Sequence, residues 1–312
     1  MILTVLQEGE LPPRLRSVEA RHATSANLAE VVEGSDALLL WDSYHGVLET
    51  VFDRCDALRW VHVAAAGVDA VLFRELRDSD VTVTNSRGVF DRPIAEFVLG
   101  SVLSMAKDTL TSVALTRRRE WRHRETDRID GSSALVVGTG SIGRAIAKML
   151  SAVGMNVAGV GRSERTDPDF GTVHASSSLV DVVGAFDYLI LVAPLTAGTR
   201  GLVGAEVLAA TRPGVRIVNV GRGELLDTSA LVDGLRRGHI AAAALDVFET
   251  EPLPSDHPLW ELPNVLLTPH MSGDVRGWQD RMAEVFLANL TRYRAGDELV
   301  NVVDKGLGFV PG

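Results

Sequence analysis

An α/β fold of two doubly wound parallel-sheet domains is predicted by three observations on this 312-residue sequence. Short β-branched and aliphatic runs alternate with helical patterns along the chain, the rhythm of βαβ units. The length is generous for one domain and comfortable for two. A glycine-rich turn, Gly138-Thr139-Gly140-Ser141-Ile142-Gly143, joins an apolar strand to a helix within the second series.

In the first third the candidate strands are residues 2–6, 37–41, 60–63 and 81–84, each followed by a polar or helix-forming stretch. From Pro93 the pattern changes. Ile94, Phe97, Val98, Val102, Leu103 and Ala106 recur at helical spacing, with Pro93 suited to a first turn. A long helix is therefore expected to lead from the first domain into the second. The run from Arg117 to Arg124 is the one strongly basic stretch; the expectation is the solvated end of a helix, the alternative that Trp121 lines a pocket or subunit contact. A second series then offers strands at 134–137, 157–160, 188–192, 216–220, 242–246 and 265–268. Six strands suit a doubly wound dinucleotide-binding sheet. The last helical segment, 277–294, is expected to return to the first domain. The predicted division is 1–93 with 277–312, and 94–276.

Composition narrows the function. Hydrophobic residues at 46% and charged residues at 23% fit a globular enzyme. A net charge of −10 opposes general binding to nucleic acid or anionic membranes. The single Cys55 excludes an internal disulfide and fits a reducing compartment. Residues 1–8 lack the basic and apolar regions of a signal peptide. No apolar run approaches the roughly 20 residues that span a bilayer. A cytoplasmic protein is expected. His22, His45, His62, His123, His174, His239 and His257 are scattered without ligand spacing, so no metal is expected.

The glycine turn matches G-x-G-x-x-G, and its context is the informative part. It follows the apolar strand at 134–137 and opens a helix over 144–150. Gly138 permits the tight turn, Gly140 lets a pyrophosphate approach, and Gly143 lets helix and strand pack closely. The amides at Ser141 and Ile142 open the helix on which phosphates would rest. At the end of the second strand an acid would normally accept hydrogen bonds from the ribose 2′-hydroxyl. Here the sequence reads Gly161-Arg162-Ser163-Glu164. Arg162 and Ser163 suit a 2′-phosphate, which favours NADP(H) over NAD(H), although Glu164 could reach a ribose hydroxyl.

Three later segments place apt residues just beyond sheet strands, where open α/β sheets bind ligands. They are Asn219-Val220-Gly221-Arg222-Gly223, Asp246-Val247-Phe248-Glu249-Thr250-Glu251-Pro252, and Thr268-Pro269-His270-Met271-Ser272-Gly273. Singly, Arg222 reads as a surface arginine, Glu251 as a loop carboxylate and His270 as a loop histidine. Together, after a dinucleotide fingerprint, they read as a catalytic set. A histidine titrates near neutrality, a neighbouring carboxylate favours its protonated form, and a planar guanidinium can grip two oxygens together.

With these segments in hand, the chain resembles the D-isomer-specific 2-hydroxyacid dehydrogenase family, in its glyoxylate/hydroxypyruvate reductase-like branch. The resemblance also rests on Ala65-Ala66-Gly67-Val68-Asp69, Val83-Thr84-Asn85-Ser86-Arg87-Gly88, Ala95-Glu96, Pro194-Leu195-Thr196, Thr199-Arg200-Gly201 and Val302-Val303-Asp304-Lys305. It implies a Rossmann cofactor domain inserted in a flavodoxin-like substrate domain, with the active site in the cleft. It implies that Arg222 holds the substrate's carboxylate and carbonyl oxygen, that His270 is the acid/base, and that Glu251 orients it. Ala66 and Gly67 would cradle the carboxylate through their backbone. Asp246 would contact the nicotinamide carboxamide, with Pro194, Thr199, Val220, His270 and Gly273 also against the cofactor. A homodimer contacting through the cofactor domains is implied as well. The chain ends soon after the returning helix, so a compact reductase is expected and not a phosphoglycerate dehydrogenase with an appended regulatory domain. Glyoxylate and hydroxypyruvate lead as substrates. The alternatives are a cofactor-sensing binding protein of the corepressor type, or a dehydrogenase of another small anion such as phosphite; Glu251 opposes formate.

Overall fold

Strands buried along their whole length must be covered on both faces, and each of the chain's two sheets has such strands at its centre. The structure is a computed structural model that describes residues 1–42 and 46–311; the expectation for His45 lies outside the described residues. Two compact units form, Met1–Phe90 with Val275–Gly312, and Asp91–Asp274.

The first unit holds β1 (Leu3–Leu6), β2 (Arg21–Ala23), β3 (Ala37–Leu40), β4 (Trp60–Val63) and β5 (Thr82–Asn85) in the order β2-β1-β3-β4-β5. All pairings are parallel, which is the flavodoxin-like order. β1, β3 and β4 are buried at every residue. β2 was not among the expected strands. It is a three-residue edge strand with Arg21 and His22 exposed, so it carries no apolar run to read. The helix Trp278–Ala295 belongs to this unit. Phe286 stacks on Trp60 at 5.6 Å between centroids, and Tyr293 lies 5.1 Å from the same ring.

The second unit holds β6 (Ser133–Val137), β7 (Asn156–Gly161), β8 (Arg165–Asp167), β9 (Gly171–Ala175), β10 (Tyr188–Leu191), β11 (Val215–Asn219), β12 (Ile240–Leu245) and β13 (Val265–Leu267). Their order is β13-β12-β11-β10-β6-β7-β9-β8. The expected count of six is corrected to eight among the described residues. The six expected strands are all present, but the strand in the third Rossmann position is β9, which the reading passed over. β9 and β8 are short and polar, and β8 runs antiparallel along the edge. One hairpin edge therefore closes an otherwise parallel sheet.

The strand order reverses between β6 and β10, whose following loops thus open side by side. The helix Asp91–Ala106 packs on Ser141–Ala152, and Pro93 sits in its first turn. The basic run is the exposed end of a helix, as expected, with only Arg117 and Arg118 inside it. The helix Thr109–Arg118 ends at Arg119, whose φ of 58° closes it. Beyond it Glu120 pairs with Arg118 and Arg122, and Asp108 pairs with Arg124. Among the described residues no single helix is long and apolar enough to cross a membrane.

Candidate active site

The dinucleotide loop follows from three glycines that do different work. Gly138 has φ 117°, and a Cβ there would lie 2.6 Å from the Ala193 amide nitrogen at the end of β10. A Cβ on Gly143 would lie 2.0 Å from the Gly138 carbonyl oxygen. Both are therefore packing requirements. A Cβ on Gly140 would meet only open space, so that glycine keeps the approach to the loop clear. The helix Ser141–Ala152 begins here, and its first-turn amides point out of the loop. The Ser141 hydroxyl donates to Asp91 at 3.1 Å, while Ile142 continues the first turn. The residues present fit a pyrophosphate.

At the end of β7 the place of the usual acid is taken by a cation. A Cβ on Gly161 would lie 3.1 Å from an Arg165 guanidinium nitrogen. That guanidinium donates to the Thr139 hydroxyl of the glycine loop at 3.0 Å and pairs with Asp167 at 3.5 Å. Asp167 is 4% exposed and takes two 2.8 Å hydrogen bonds from Arg144, which hold its carboxyl below the usual range. Arg144 also donates to Asp169 at 3.0 Å. Arg162 and Ser163 are exposed on the loop after β7. Sequence reasoning missed Arg165 because its position depends on the β8–β9 hairpin.

The third segment forms a turn built around a buried carboxylate. Asp246 is fully buried at the end of β12. Its oxygens accept from the Thr268 hydroxyl at 2.5 Å, the Met271 amide at 2.9 Å and the Ser272 amide at 2.8 Å. Its backbone carbonyl accepts from the His270 amide at 2.8 Å. His270 has φ 51°, a conformation few residues other than glycine adopt, and these bonds hold it there. Its Nδ1 meets Glu251 Oε2 at 2.8 Å, while Glu251 Oε1 accepts from the Phe248 amide at 2.9 Å. The carboxylate is thus fixed at both oxygens, and Nε2 is the ring nitrogen left to face outward. Gly273 is buried in the same turn.

Arg222 follows β11. The Asn219 side chain donates to its carbonyl at 2.9 Å and accepts from Gly221 at 3.1 Å. A Cβ on Gly223 would lie 1.9 Å from the Phe248 carbonyl carbon, so the Arg222 and Glu251 loops touch backbone to backbone. Val220 is buried and donates from its amide to Leu191 at 3.0 Å. Pro194 and Thr199 share one turn, the Thr199 hydroxyl donating to the Pro194 carbonyl at 2.6 Å. Arg222, Glu251, His270, Asp246 and the cofactor-loop residues all follow strand ends on one edge of the second unit's sheet. Among the described residues no cluster of three or more His, Cys, Asp or Glu could hold a metal.

Ala66 and Gly67 belong to the first unit, in the loop after β4. The Ala65 carbonyl accepts from the Ser86 amide at 2.9 Å, and the Ala66 carbonyl accepts from the Asn85 side chain at 2.5 Å.

A family model described as "D-isomer specific 2-hydroxyacid dehydrogenase, NAD binding domain" matches residues 99–272. The glyoxylate reductase of Thermococcus gammatolerans is 30% identical over 296 residues, 92% of this chain and 88% of its own. A D-isomer specific 2-hydroxyacid dehydrogenase from Xanthobacter autotrophicus Py2, solved with NADPH and MES, is 31% identical. It superposes with a TM-score of 0.84 over 99% of both chains. An NADPH-dependent glyoxylate/hydroxypyruvate reductase from Sinorhizobium meliloti, solved with NADP and malonate, is 27% identical. Its TM-score is 0.84 over 100% of this chain and 99% of its own.

Proposed function

Because the chain belongs to the D-isomer specific 2-hydroxyacid dehydrogenase family of NAD(P)-dependent enzymes, we propose that it reduces a small 2-keto acid of the glyoxylate or hydroxypyruvate type. The product is the D-2-hydroxy acid, and NADPH is preferred over NADH. The observation that carries the reading is the His270–Glu251 pair at 2.8 Å, on the sheet edge that also bears the glycine loop.

When bound, a nicotinamide cofactor would supply the hydride for the keto carbon. The protein's own part is binding and proton transfer. Glu251 accepts from Nδ1 and so leaves Nε2 to face the carbonyl oxygen. In reduction, protonated His270 gives its Nε2 proton to the developing alkoxide. In oxidation, neutral Nε2 takes the hydroxyl proton. Arg222 grips the carboxylate and steadies charge on the carbonyl oxygen, and the amides of Ala66 and Gly67 share the carboxylate. Asp246, with three hydrogen bonds already accepted from the His270 turn, has about one acceptor position left for the carboxamide. Gly138, Gly140, Gly143, Pro194, Thr199, Val220 and Gly273 shape the cofactor's seat.

The cofactor preference is supported by the absence of an acid at Gly161 and by the three polar groups of Arg162, Ser163 and Arg165. The Sinorhizobium neighbour, named an NADPH-dependent glyoxylate/hydroxypyruvate reductase, points the same way. A homodimer through the cofactor unit is supported by Leu103, Val113 and Trp121, large apolar side chains left exposed on or beside its two long N-terminal helices.

The test is NADPH and NADH oxidation against glyoxylate, hydroxypyruvate, pyruvate, phenylpyruvate and a branched keto acid. Turnover faster with NADPH and with the two smallest acids is expected. Turnover with none of them, despite cofactor binding, would overturn the reading.

A further inference from the structure

We infer that Asn85 is a positioning residue for substrate recognition, aiming the amides of Ala66 and Gly67 at the carboxylate, and that the C-terminal segment keys it in place through Asn301. The inference rests on the reading that this turn holds the substrate's carboxylate.

β4 and β5 are parallel neighbours in which Val63 pairs with Asn85. The chain leaving β4 is tied to the chain leaving β5 at two successive carbonyls. Ser86 donates its amide to the Ala65 carbonyl at 2.9 Å, and the Asn85 side-chain nitrogen donates to the Ala66 carbonyl at 2.5 Å. The peptide bonds here are trans, and in a trans peptide the carbonyl and the next N–H point in opposite directions. Fixing those two carbonyls toward β5 therefore turns the Ala66 and Gly67 N–H groups away from it, side by side. Neither amide donates to a described residue. Two adjacent N–H groups that donate to no described residue, on one side of a turn, form an anion-binding concavity.

The Asn85 carboxamide can act only in one orientation. Its oxygen accepts from the Arg87 amide at 3.2 Å, which leaves its nitrogen for the Ala66 carbonyl. It is 2% exposed, so no water competes for the bond. Its backbone is held from the far end of the chain. Asn301, at φ 58°, donates its side-chain nitrogen to the Asn85 and Arg87 carbonyls at 3.3 and 3.0 Å. Its own carbonyl accepts from the Asn85 amide at 3.3 Å. Val303 donates to the Val83 carbonyl at 2.8 Å, and Arg87 donates to the carbonyls of Val310 and Pro311 at 3.2 and 2.6 Å. The last residues thus lie along β5 as a brace for the turn.

The decisive variants are Asn85→Asp and Asn301→Ala. Asn85→Asp keeps the shape but replaces the donor with a second acceptor and sets a negative charge behind the carboxylate site. It is expected to raise KM for glyoxylate at least about tenfold while kcat changes much less. Calorimetry with oxamate, an unreactive keto-acid mimic, is expected to show the same loss, and the dissociation constant of NADPH is expected to hold. Asn301→Ala is expected to shift KM and oxamate affinity in the same direction, about threefold. It also carries the test should Asn85→Asp not fold. Unchanged KM and unchanged oxamate affinity in both variants would overturn the inference and leave the catalytic reading intact. So would a fall in kcat alone, which marks general loosening. A wild-type protein that neither reduced a keto acid nor bound oxamate would instead overturn the carboxylate reading beneath it.

Discussion

The guanidinium of Arg165 lies 3.1 Å from where any side chain at Gly161 would begin. A dinucleotide sheet usually carries an acid at that strand end to meet the ribose hydroxyls. Here the missing side chain makes room for a cation, and the buried Asp167 anchors it at 3.5 Å.

Removing that cation should move cofactor choice. Arg165→Ala is expected to weaken NADPH binding by about tenfold or more, the scale of one charge-assisted hydrogen bond, and to leave NADH nearly unchanged. Titration of the two reduced cofactors by fluorescence reads this directly. An unchanged ratio of affinities, with Arg162→Ala equally silent, would remove the 2′-phosphate reading.

The catalytic roles predict separable kinetic losses. His270→Ala should lower kcat by about 10²–10⁴, the usual contribution of a positioned acid/base. Glu251→Gln should cost less, because the imidazole remains. Arg222→Ala should lower kcat/KM by about 10²–10³. Steady-state rates with a fixed keto acid measure all three. A His270→Ala enzyme at full speed across neutral pH would require another proton donor.

Asp246 links catalysis to stability. Asn in its place keeps one acceptor oxygen and turns an NH2 group toward an amide or hydroxyl that needs an acceptor. Asp246→Asn is expected to destabilise the fold by about 1–3 kcal/mol, the penalty for a buried donor left unpaired. Urea unfolding would read it, and kcat should fall as the His270 turn loosens. Native stability and native kcat together would show that the three bonds do not hold the turn.

His62 predicts an acid-sensitive fold. It is fully buried on β4, with Nδ1 at 2.8 Å from the Thr84 hydroxyl, and burial pushes it from 6.5 down to about 3. Between those values the unfolded chain binds a proton that the folded chain refuses. The stabilisation is therefore complete above pH 6.5 and is lost as pH falls toward 3. Unfolding free energy should drop by about 1.4 kcal/mol per pH unit through this window. His62→Gln should flatten that slope in urea titrations between pH 6 and about 4.5, above the carboxylate range. A slope unchanged by the substitution would assign the acid sensitivity elsewhere.

Much of this protein was legible because its signals are local. Strands buried on both faces carry mostly apolar runs, unbroken in the segments that became β3 and β10 and interrupted only by Thr4 in β1 and His62 in β4, so the fold class and most strands could be read directly. The glycine fingerprint needs only its neighbours to be interpreted. β2, β8 and β9 were missed because short polar strands at or beside a sheet edge are stabilised by pairing and not by their own pattern.

By itself the sequence determined the α/β class, the place of the glycine-rich loop and the residue types of the proposed catalytic set. Each of these is written in short-range hydrophobic periodicity and in a few side chains at strand ends. Only the tertiary structure decided that Arg165 stands over Gly161, that Asp246 accepts three bonds from the His270 turn, and that Asn301 reaches back 216 residues to Asn85. Those relationships join segments far apart in the chain, and hydrogen bonds between such segments are set by which strands pair, a choice no local pattern records.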